Sequence, residues 1–505
     1  MNRGGIKAGA ALGVVVAMLA TGSATANVIR PDTRADEPGL DPDNGNCTLR
    51  EAIESADRDV SEDGCRRGDG ADVISLRRGT YELDVPTSET PGSTEIDNRG
   101  GDLDIGAFGL DRLGVVGHRH GTTIDANDHD RAFQIFGGLV TFERLTITDG
   151  TTVNSGGGVS VYAGTGRFVR TTVAGNMAGD TGGGVSVFGT TMLGVGKALF
   201  VKGTVRENFA DSVGGGISAF GRIELAGTKV TANDGVVGGG IRLAPGVRAD
   251  LTRARVAGNE SVLTGGGVAV DTGSRLDVTA STIERNEAGT SGGGISLFNG
   301  ELTMRSSTLA LNRADAEGGG LASAGAPANP ISLLIVNSTV SGNIADADGS
   351  GGAGEGGGLA VGAIGSKRIV SSTITRNRAT RGGGFQGPFV TGNQPVRLKG
   401  TIVAGNTATI VGGTGPDCLA VTAESAASQG HNLFGDLNGC EVGEKPSDVV
   451  GNPRLGPLGR NGGPTKTHAL RRGSRAIDKG PNDAPRRDQR GVRRDDPDIG
   501  AYERT

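Results

Sequence analysis

Hydrolysis of a glycosidic bond needs two carboxyl groups flanking it, roughly 5–10 Å apart. Three close acidic pairs offer that chemistry by residue type: Asp102 with Asp104, Asp125 with Asp128, and Glu284 with Glu301. None recurs with a histidine or arginine in a motif, and Asp125 and Asp128 fall in a polar turn where solvation is the plainer role. His431 stands in Gly430-His-Asn432, which reads as turn-forming. Asp41-Pro-Asp43-Asn44-Gly45-Asn46 is rich in oxygen ligands but lacks the twelve-residue calcium-loop spacing. The triple glycines lack the lysine of a phosphate-binding loop. Aromatic platforms for sugars are scarce, with three tyrosines, thirteen phenylalanines and no tryptophan. The sequence therefore assigns no catalytic residue, cofactor or metal.

The four cysteines fall in two pairs at opposite ends, Cys47 with Cys65 and Cys418 with Cys440. No CxxC or histidine cluster accompanies them, so disulfides are expected rather than a metal site. Of the three possible pairings, 47–65 and 418–440 suit an elongated molecule whose ends cannot meet. The N-terminus supports an oxidising destination. Arg3 and Lys7 precede a thirteen-residue apolar run, Ala8 to Ala20, and Ala24-Thr25-Ala26 offers small residues for cleavage after Ala26. No second apolar stretch is long enough to span a bilayer, so no membrane segment is expected after removal of this leader.

Composition then limits the scaffold that could carry any site. Of 505 residues, 93 are glycine, while 35% are hydrophobic and 3% aromatic. Collagen would need a strict Gly-X-Y period and far more than the 18 prolines present. The net charge is −5, which speaks against a nucleic-acid partner. Triple glycines begin at Gly156, Gly182, Gly214, Gly238, Gly265, Gly292, Gly318, Gly356 and Gly382, most often 26 or 27 residues apart. Each is followed by an aliphatic or aromatic residue, from Val159 to Phe385.

A second mark is asparagine: Asn176, Asn208, Asn233, Asn259, Asn286, Asn312, Asn343, Asn377 and Asn406, the last before Gly412-Gly413. Three residues before each stands Val, Ile or Leu; two after comes a small residue. Leu145 to Gly158 reads as an earlier coil with Gly150 in the asparagine position. Short β-rich runs in each period cannot bury an inward face alone, so coils must stack. The pattern predicts an all-β parallel β-helix. Its asparagines would bond coil to coil through amides that donate and accept, and would occupy left-handed bends. Ten coils at ~4.8 Å give a rod of about 48 Å for this part. Leucine-rich repeats and calcium-binding nonapeptides fit worse, since the first needs several leucines per period and the second an aspartate in the glycine run.

At the start, Thr48-Leu49-Arg50-Glu51 is a capping box that predicts a helix from Leu49 to about Asp57, placed to cover the open end of the rod. Residues 71–76, 79–83, 122–124 and 133–135 read as the first strands.

The ends carry a resemblance. Cys47-Thr-Leu-Arg-Glu-Ala-Ile53 resembles the Cys-Ser-Leu-Arg-Glu-Ala motif that opens many bacterial surface β-helix proteins, with Thr48 in place of serine. Gly430-His-Asn-Leu-Phe-Gly-Asp436, Asn438-Gly-Cys440, Leu458-Gly-Arg-Asn-Gly-Gly-Pro-Thr465, His468-Ala-Leu470, Gly473-Ser-Arg-Ala-Ile-Asp478, Asp488-Gln-Arg-Gly491 and Asp498-Ile-Gly-Ala-Tyr-Glu503 resemble the matching C-terminal module. This is the pattern of the choice-of-anchor Q domain proteins. The repeats are also similar to those of polymorphic outer-membrane proteins, some of which are adhesins.

The resemblance implies a right-handed β-helix with a capping helix and a C-terminal end module. The expected layout is a leader at 1–26, an N-terminal cap at 27–70, the β-helix at 71–415 and the end module at 416–505. The expected function is adhesin-like or structural, on a secreted or surface-associated monomer that meets extracellular polysaccharide, wall polymer or a host surface. The alternative is a carbohydrate-active enzyme, a polysaccharide lyase or glycoside hydrolase. A flat wall of Ser, Thr and Gly would favour the first, and a cleft of convergent Asp, Arg or Lys the second. Residues 466–494 hold ten basic residues against Asp478, Asp483 and Asp488, which suggests docking on an anionic wall polymer.

Overall fold

The computed structural model describes residues 26–37, 44–86, 98–107, 109–190, 194–349, 354–362, 364–388, 394–409, 415–420 and 425–505. The leader up to residue 25, Asp41 and Asp43 of the acidic turn, and Gly412-Gly413 lie outside the described residues.

Each period makes one coil with four short strands, and coils stack in parallel register to build four walls. One coil shows the pattern: Thr165–Val169 in wall 1, Thr172–Ala174 in wall 2, Met177–Ala178 in wall 3 and Val185–Val187 in wall 4. Among the described residues, walls 1 and 2 have fourteen strands each, wall 3 ten and wall 4 twelve. The fold is the expected right-handed parallel β-helix. Alternation sorts the side chains. In Arg275–Thr279, Leu276 and Val278 point into the core while Arg275 and Asp277 face out. Inside, Phe133, Phe142, Phe168 and Phe200 stack with centroids 4.7, 5.4 and 4.5 Å apart. Lys367 also points inward from wall 1, in register with Leu333 and Val396, and burial pushes its ammonium down to about 8.

The asparagines form one buried column. Asn176 Nδ2 donates to Asn208 Oδ1 at 2.9 Å, and the same bond recurs through Asn233, Asn259, Asn286, Asn312, Asn343, Asn377 and Asn406. Each Oδ1 also accepts the backbone N–H of the asparagine one coil earlier, as in Asn259 N to Asn286 Oδ1 at 3.1 Å. The second amide hydrogen goes to the carbonyl of the aliphatic residue three before the previous asparagine, as in Asn286 Nδ2 to Val256 O at 3.1 Å. That is why the two marks travel together: the aliphatic side chain enters the core while its carbonyl closes the amide. The column starts at Gly150, whose N–H donates to Asn176 Oδ1 at 3.0 Å, and ends on the buried carboxylate of Asp417, 2.9 Å from Asn406 Nδ2.

One expectation is corrected. The left-handed residue at this bend is not asparagine but the residue before it: Gly175, Glu207, Ala232, Gly258, Arg285, Leu311, Gly342, Arg376 and Gly405, with φ from 54° to 72°. The asparagine must present its amide along the column, and the preceding residue makes the corner. The first glycine of each triplet is also left-handed, as at Gly239's neighbour Gly238 (φ 69°). The second lies against the next coil: a Cβ on Gly239 would sit 1.8 Å from Glu260 O.

The helix α1 (Leu49–Asp57) has the capping box that Thr48 and Glu51 predict, and it packs on Ala71–Ser75 and Leu103–Ile105. Arg50 explains its place in the motif: fully buried, it pairs with Asp36 at 2.7 Å and donates to the carbonyls of Gly101 and Asp102. Cys47 is bonded to Cys65 beside it, and Cys418 to Cys440 at the other end.

Wall pairing continues past residue 415 to Val449–Val450. The remaining chain folds back as a strap over the outside of wall 2. It contains an antiparallel hairpin, Leu455–Gly459 with Thr467–Leu470. Buried polar contacts fix it: Thr308 Oγ1 to Lys466 O at 2.7 Å, Thr339 Oγ1 to Gln489 Oε1 at 2.7 Å, and Ser341 Oγ with His468 Nε2 at 2.8 Å. The end module thus lies along the rod as well as at its end.

Candidate functional site

The acidic pairs do not assemble into a catalytic cleft. Asp102 and Asp104 are buried near the N-terminal cap, Asp102 in an ion pair with Arg131 at 3.3 Å. Asp125 Oδ1 caps the turn at Asn127, and Asp128 Oδ1 accepts from Thr151. Glu284 lies on wall 2 and Glu301 on wall 1. Glu284 is held by Lys466 at 2.8 Å, Arg255 at 3.0 Å and Arg285 at 3.4 Å. Burial works to raise its carboxyl, but Lys466 and Arg255 together bring it below the usual range. Its role is to clip the strap to the rod. No group of three or more His, Cys, Asp or Glu among the described residues is arranged to hold a metal ion.

Neither of the two anticipated wall types is present in simple form. The outward serines of wall 4, Ser160, Ser186 and Ser218, are covered by the glycine triplets that fold over them. The middle of wall 1's outward face is charged but self-neutralised: Arg222 meets Glu224 and Asp250, Arg248 meets Asp250 and Asp277, and Arg275 meets Asp277, all between 2.8 and 3.2 Å.

The exposed feature that stands out follows wall 4. The strands register Ile135, Val161, Val187, Ala219, Leu243, Val270 and Leu297 in one inward column. The next residue of each coil lines up as one row, Phe136, Tyr162, Phe188, Phe220, Ala244, Asp271 and Phe298, of which Ala244 is buried and the others reach the surface. Backbone bonds hold the register, for example Phe188 N to Val161 O at 2.8 Å and Phe220 N to Val187 O at 2.7 Å. Four successive rings follow one another along the rod with centroids 6.1, 5.0 and 5.8 Å apart, the first two contacts tilted and the last pair parallel to within 2°. Arg242 closes the stack, its guanidinium 5.1 Å from the Phe220 ring and its Nη2 2.8 Å from Asp271. Phe220 is 39% exposed, and the other three rings of the stack are half-buried. A small hairpin, Gly189–Thr190 with Gly194–Val195, stands beside them.

Composition hid this row, since aromatics are rare in the chain. A positional signal existed: Tyr162, Phe188, Phe220 and Phe298 each lie six residues after the first glycine of a triplet.

A second concavity lies between the last coils and the strap. It is a cleft of about 420 Å³ lined by Lys399, His431, Lys445, Ser447, Asn482 and Asp483 among others. His431 is left-handed (φ 58°), as its turn role requires, and its Nδ1 lies 2.9 Å from the carbonyl of Lys479. That contact makes Nδ1 the protonated nitrogen of the neutral ring and leaves Nε2 as an acceptor.

No protein-family model and no curated protein matches the chain. Two solved structures are similar in fold. One is the pectate lyase Pel9A, with TM-score 0.40 and 14% identity over 96% of this chain and 98% of that one. The other is a mannuronic acid specific polysaccharide family 6 lyase from human gut microbiota, with TM-score 0.30 and 10% identity over 76% and 86%. At these scores neither likeness assigns a residue or a reaction here.

Proposed function

We propose that this chain is an extracellular β-helix protein that holds a polysaccharide along the aromatic row after wall 4. The stacked rings of Phe136, Tyr162, Phe188 and Phe220 carry this reading. They form an apolar stripe on the outside of a rod that needs no such stripe to fold. Its repeat is set by the inter-strand spacing of ~4.8 Å, and the C–H face of successive pyranose rings is the apolar partner that comes as a linear array. Tyr162 adds a hydroxyl and Arg242 a charged terminus for orientation. The two disulfides suit an oxidising compartment. This narrows the adhesin-like expectation to glycan contact.

A carbohydrate-active enzyme on the same class of polymer is the second reading, favoured by His431, whose acceptor nitrogen and neighbouring lysines offer a base and cations in one cleft. One panel tests both. The mature chain is measured against neutral and acidic polysaccharides for binding and for chain shortening. Binding that falls about fivefold or more in Phe188→Ala/Phe220→Ala, with the fold intact by circular dichroism, supports the row. Unchanged binding in that variant removes it. Chain shortening that is lost in His431→Gln supports the enzyme.

A further inference from the structure

We propose that the cleft between the last coils and the strap is a binding site for the anionic groups of an acidic polymer, separate from the aromatic row. Three parts of the molecule build it. Wall 1 supplies Lys399, at the end of Val396–Lys399. The loop after the second disulfide supplies Lys445 and Ser447, the strap supplies Pro481, Asn482 and Asp483, and Lys479, exposed, stands beside the cleft with its carbonyl on His431. Lys399 Nζ reaches Asp483 at 2.6 Å across the cleft, and His431 Nδ1 reaches the Lys479 carbonyl, so strap and coil are fixed to one another there.

The charges are unequal. Asp483 is matched by Lys399. Asp448, behind the cleft, has its carboxylate filled by Ser428 Oγ, Lys445 N and both nitrogens of Asn432. Among the described residues, the ammonium groups of Lys445 and Lys479 have no carboxylate within ion-pair distance, and both residues are exposed. The Ser447 hydroxyl accepts the His431 N–H at 3.1 Å and keeps its own hydrogen to donate.

The strap divides its ten basic residues by job. Lys466 clips Glu284, Arg490 pairs with Asp488 over the Tyr502 ring, and Arg494 is buried against Glu503 and the carbonyls of Asp498 and Gly500. Arg471, Arg472 and Arg486 are exposed with no ion pair among the described residues, and Arg475 donates to the Val450 carbonyl at 2.8 Å. The middle of wall 1 is the contrast: there Arg222, Arg248 and Arg275 each pair with an acid. In the cleft, unpaired cations meet hydroxyl and amide donors around a space of about 420 Å³, large enough for a carboxylate- or phosphate-bearing unit.

A polymer of uronic acids and a polymer of phosphodiesters both present this chemistry. The mature full chain is tested on immobilised polygalacturonate, poly(glycerol phosphate) and neutral dextran, at about 50 mM and about 500 mM salt. At low salt at least one polyanion is bound, and which one identifies the source. Lys445→Ala/Lys479→Ala weakens that binding about five- to tenfold, and high salt does the same to the wild type. Lys445→Arg/Lys479→Arg restores it, and Phe188→Ala/Phe220→Ala leaves it unchanged. Failure to bind either polyanion, full binding by the double alanine variant, or no rescue by arginine overturns the proposal. Loss of dextran binding in the phenylalanine variant bears on the aromatic row alone.

Discussion

Two columns run along this rod, and they obey different rules. The asparagine column is buried and unbroken from Asn176 to Asn406. The aromatic row is partly exposed and ends at Phe220, since the next place is taken by the buried Ala244. Inside, a missing amide strands a donor and an acceptor with no water to replace it. Outside, a missing ring costs only its own contacts. Stacking repeats every choice of residue along the axis, but burial alone enforces the repetition. Where an exposed column is kept for four coils without enforcement, a use for it is the better account.

The sharpest test of this contrast is Asn286→Leu. The change leaves Asn259 N–H and Nδ2 without their acceptor and takes one amide donor each from the Asn312 and Val256 oxygens. A loss of about 3 kcal/mol or more is expected in chemical denaturation. A loss no larger than that of Phe220→Ala would show that the column is decoration and that the core alone sets stability.

The asparagines were legible in the sequence because the aliphatic residue three before and the asparagine itself serve one hydrogen-bonding device, so both recur. The coil, the capped helix and the disulfide pairs follow from equally local rules. The left-handed corner was misplaced by one residue because Glu207, Leu311 and Arg376 give no sign in their type that the backbone is left-handed there. The aromatic row escaped because composition averages over the chain, while the row depends on one position per coil. The strap was beyond reach for another reason: its contacts, such as Thr308 with Lys466, join residues far apart in sequence and follow no period.

The strap offers the next test, because it turns part of the exterior into interior. Burial holds the His468 ring neutral, down to about 4, with Arg376 adding to the effect. A base with a depressed folded value stabilises above its unfolded value of ~6.5 and loses that stability as pH falls from there toward 4, by up to about 3 kcal/mol. Glu503 behaves oppositely. Burial raises its carboxyl to about 7, so its end of the strap gains stability as pH falls through 7 toward its unfolded value of ~4.5. Hydrogen-exchange protection, relative to the intrinsic rate at each pH, should therefore fall at 467–470 and rise at 498–503 on acidification. Both segments moving together would mean that the strap opens as one unit and that these two groups do not govern it.

Within the aromatic row, Phe220→Ala should cost about 1–2 kcal/mol. It removes the parallel stack on Phe188 and the seat of Arg242, each worth about 0.5–1.5 kcal/mol. Denaturation midpoints of the variant would check this. A neutral result would mean that the rings are held in line by the backbone register alone.

Phe298 is the smallest and most discriminating case. It occupies the same row, one coil beyond Asp271, and is 48% exposed. Ala324 lies in register on its far side, and no ring is stacked on it among the described residues. Phe298→Ala should therefore change stability by no more than about 0.5 kcal/mol, as at other open surface positions. Its effect on binding decides how far the row extends. If glycan contact needs the continuous stack, Phe298→Ala binds like the wild type while Phe220→Ala does not. If Phe298→Ala weakens binding as much as Phe220→Ala, the Arg242–Asp271 pair belongs in the middle of the contact surface rather than at its end, and the glycan spans the break in the stack.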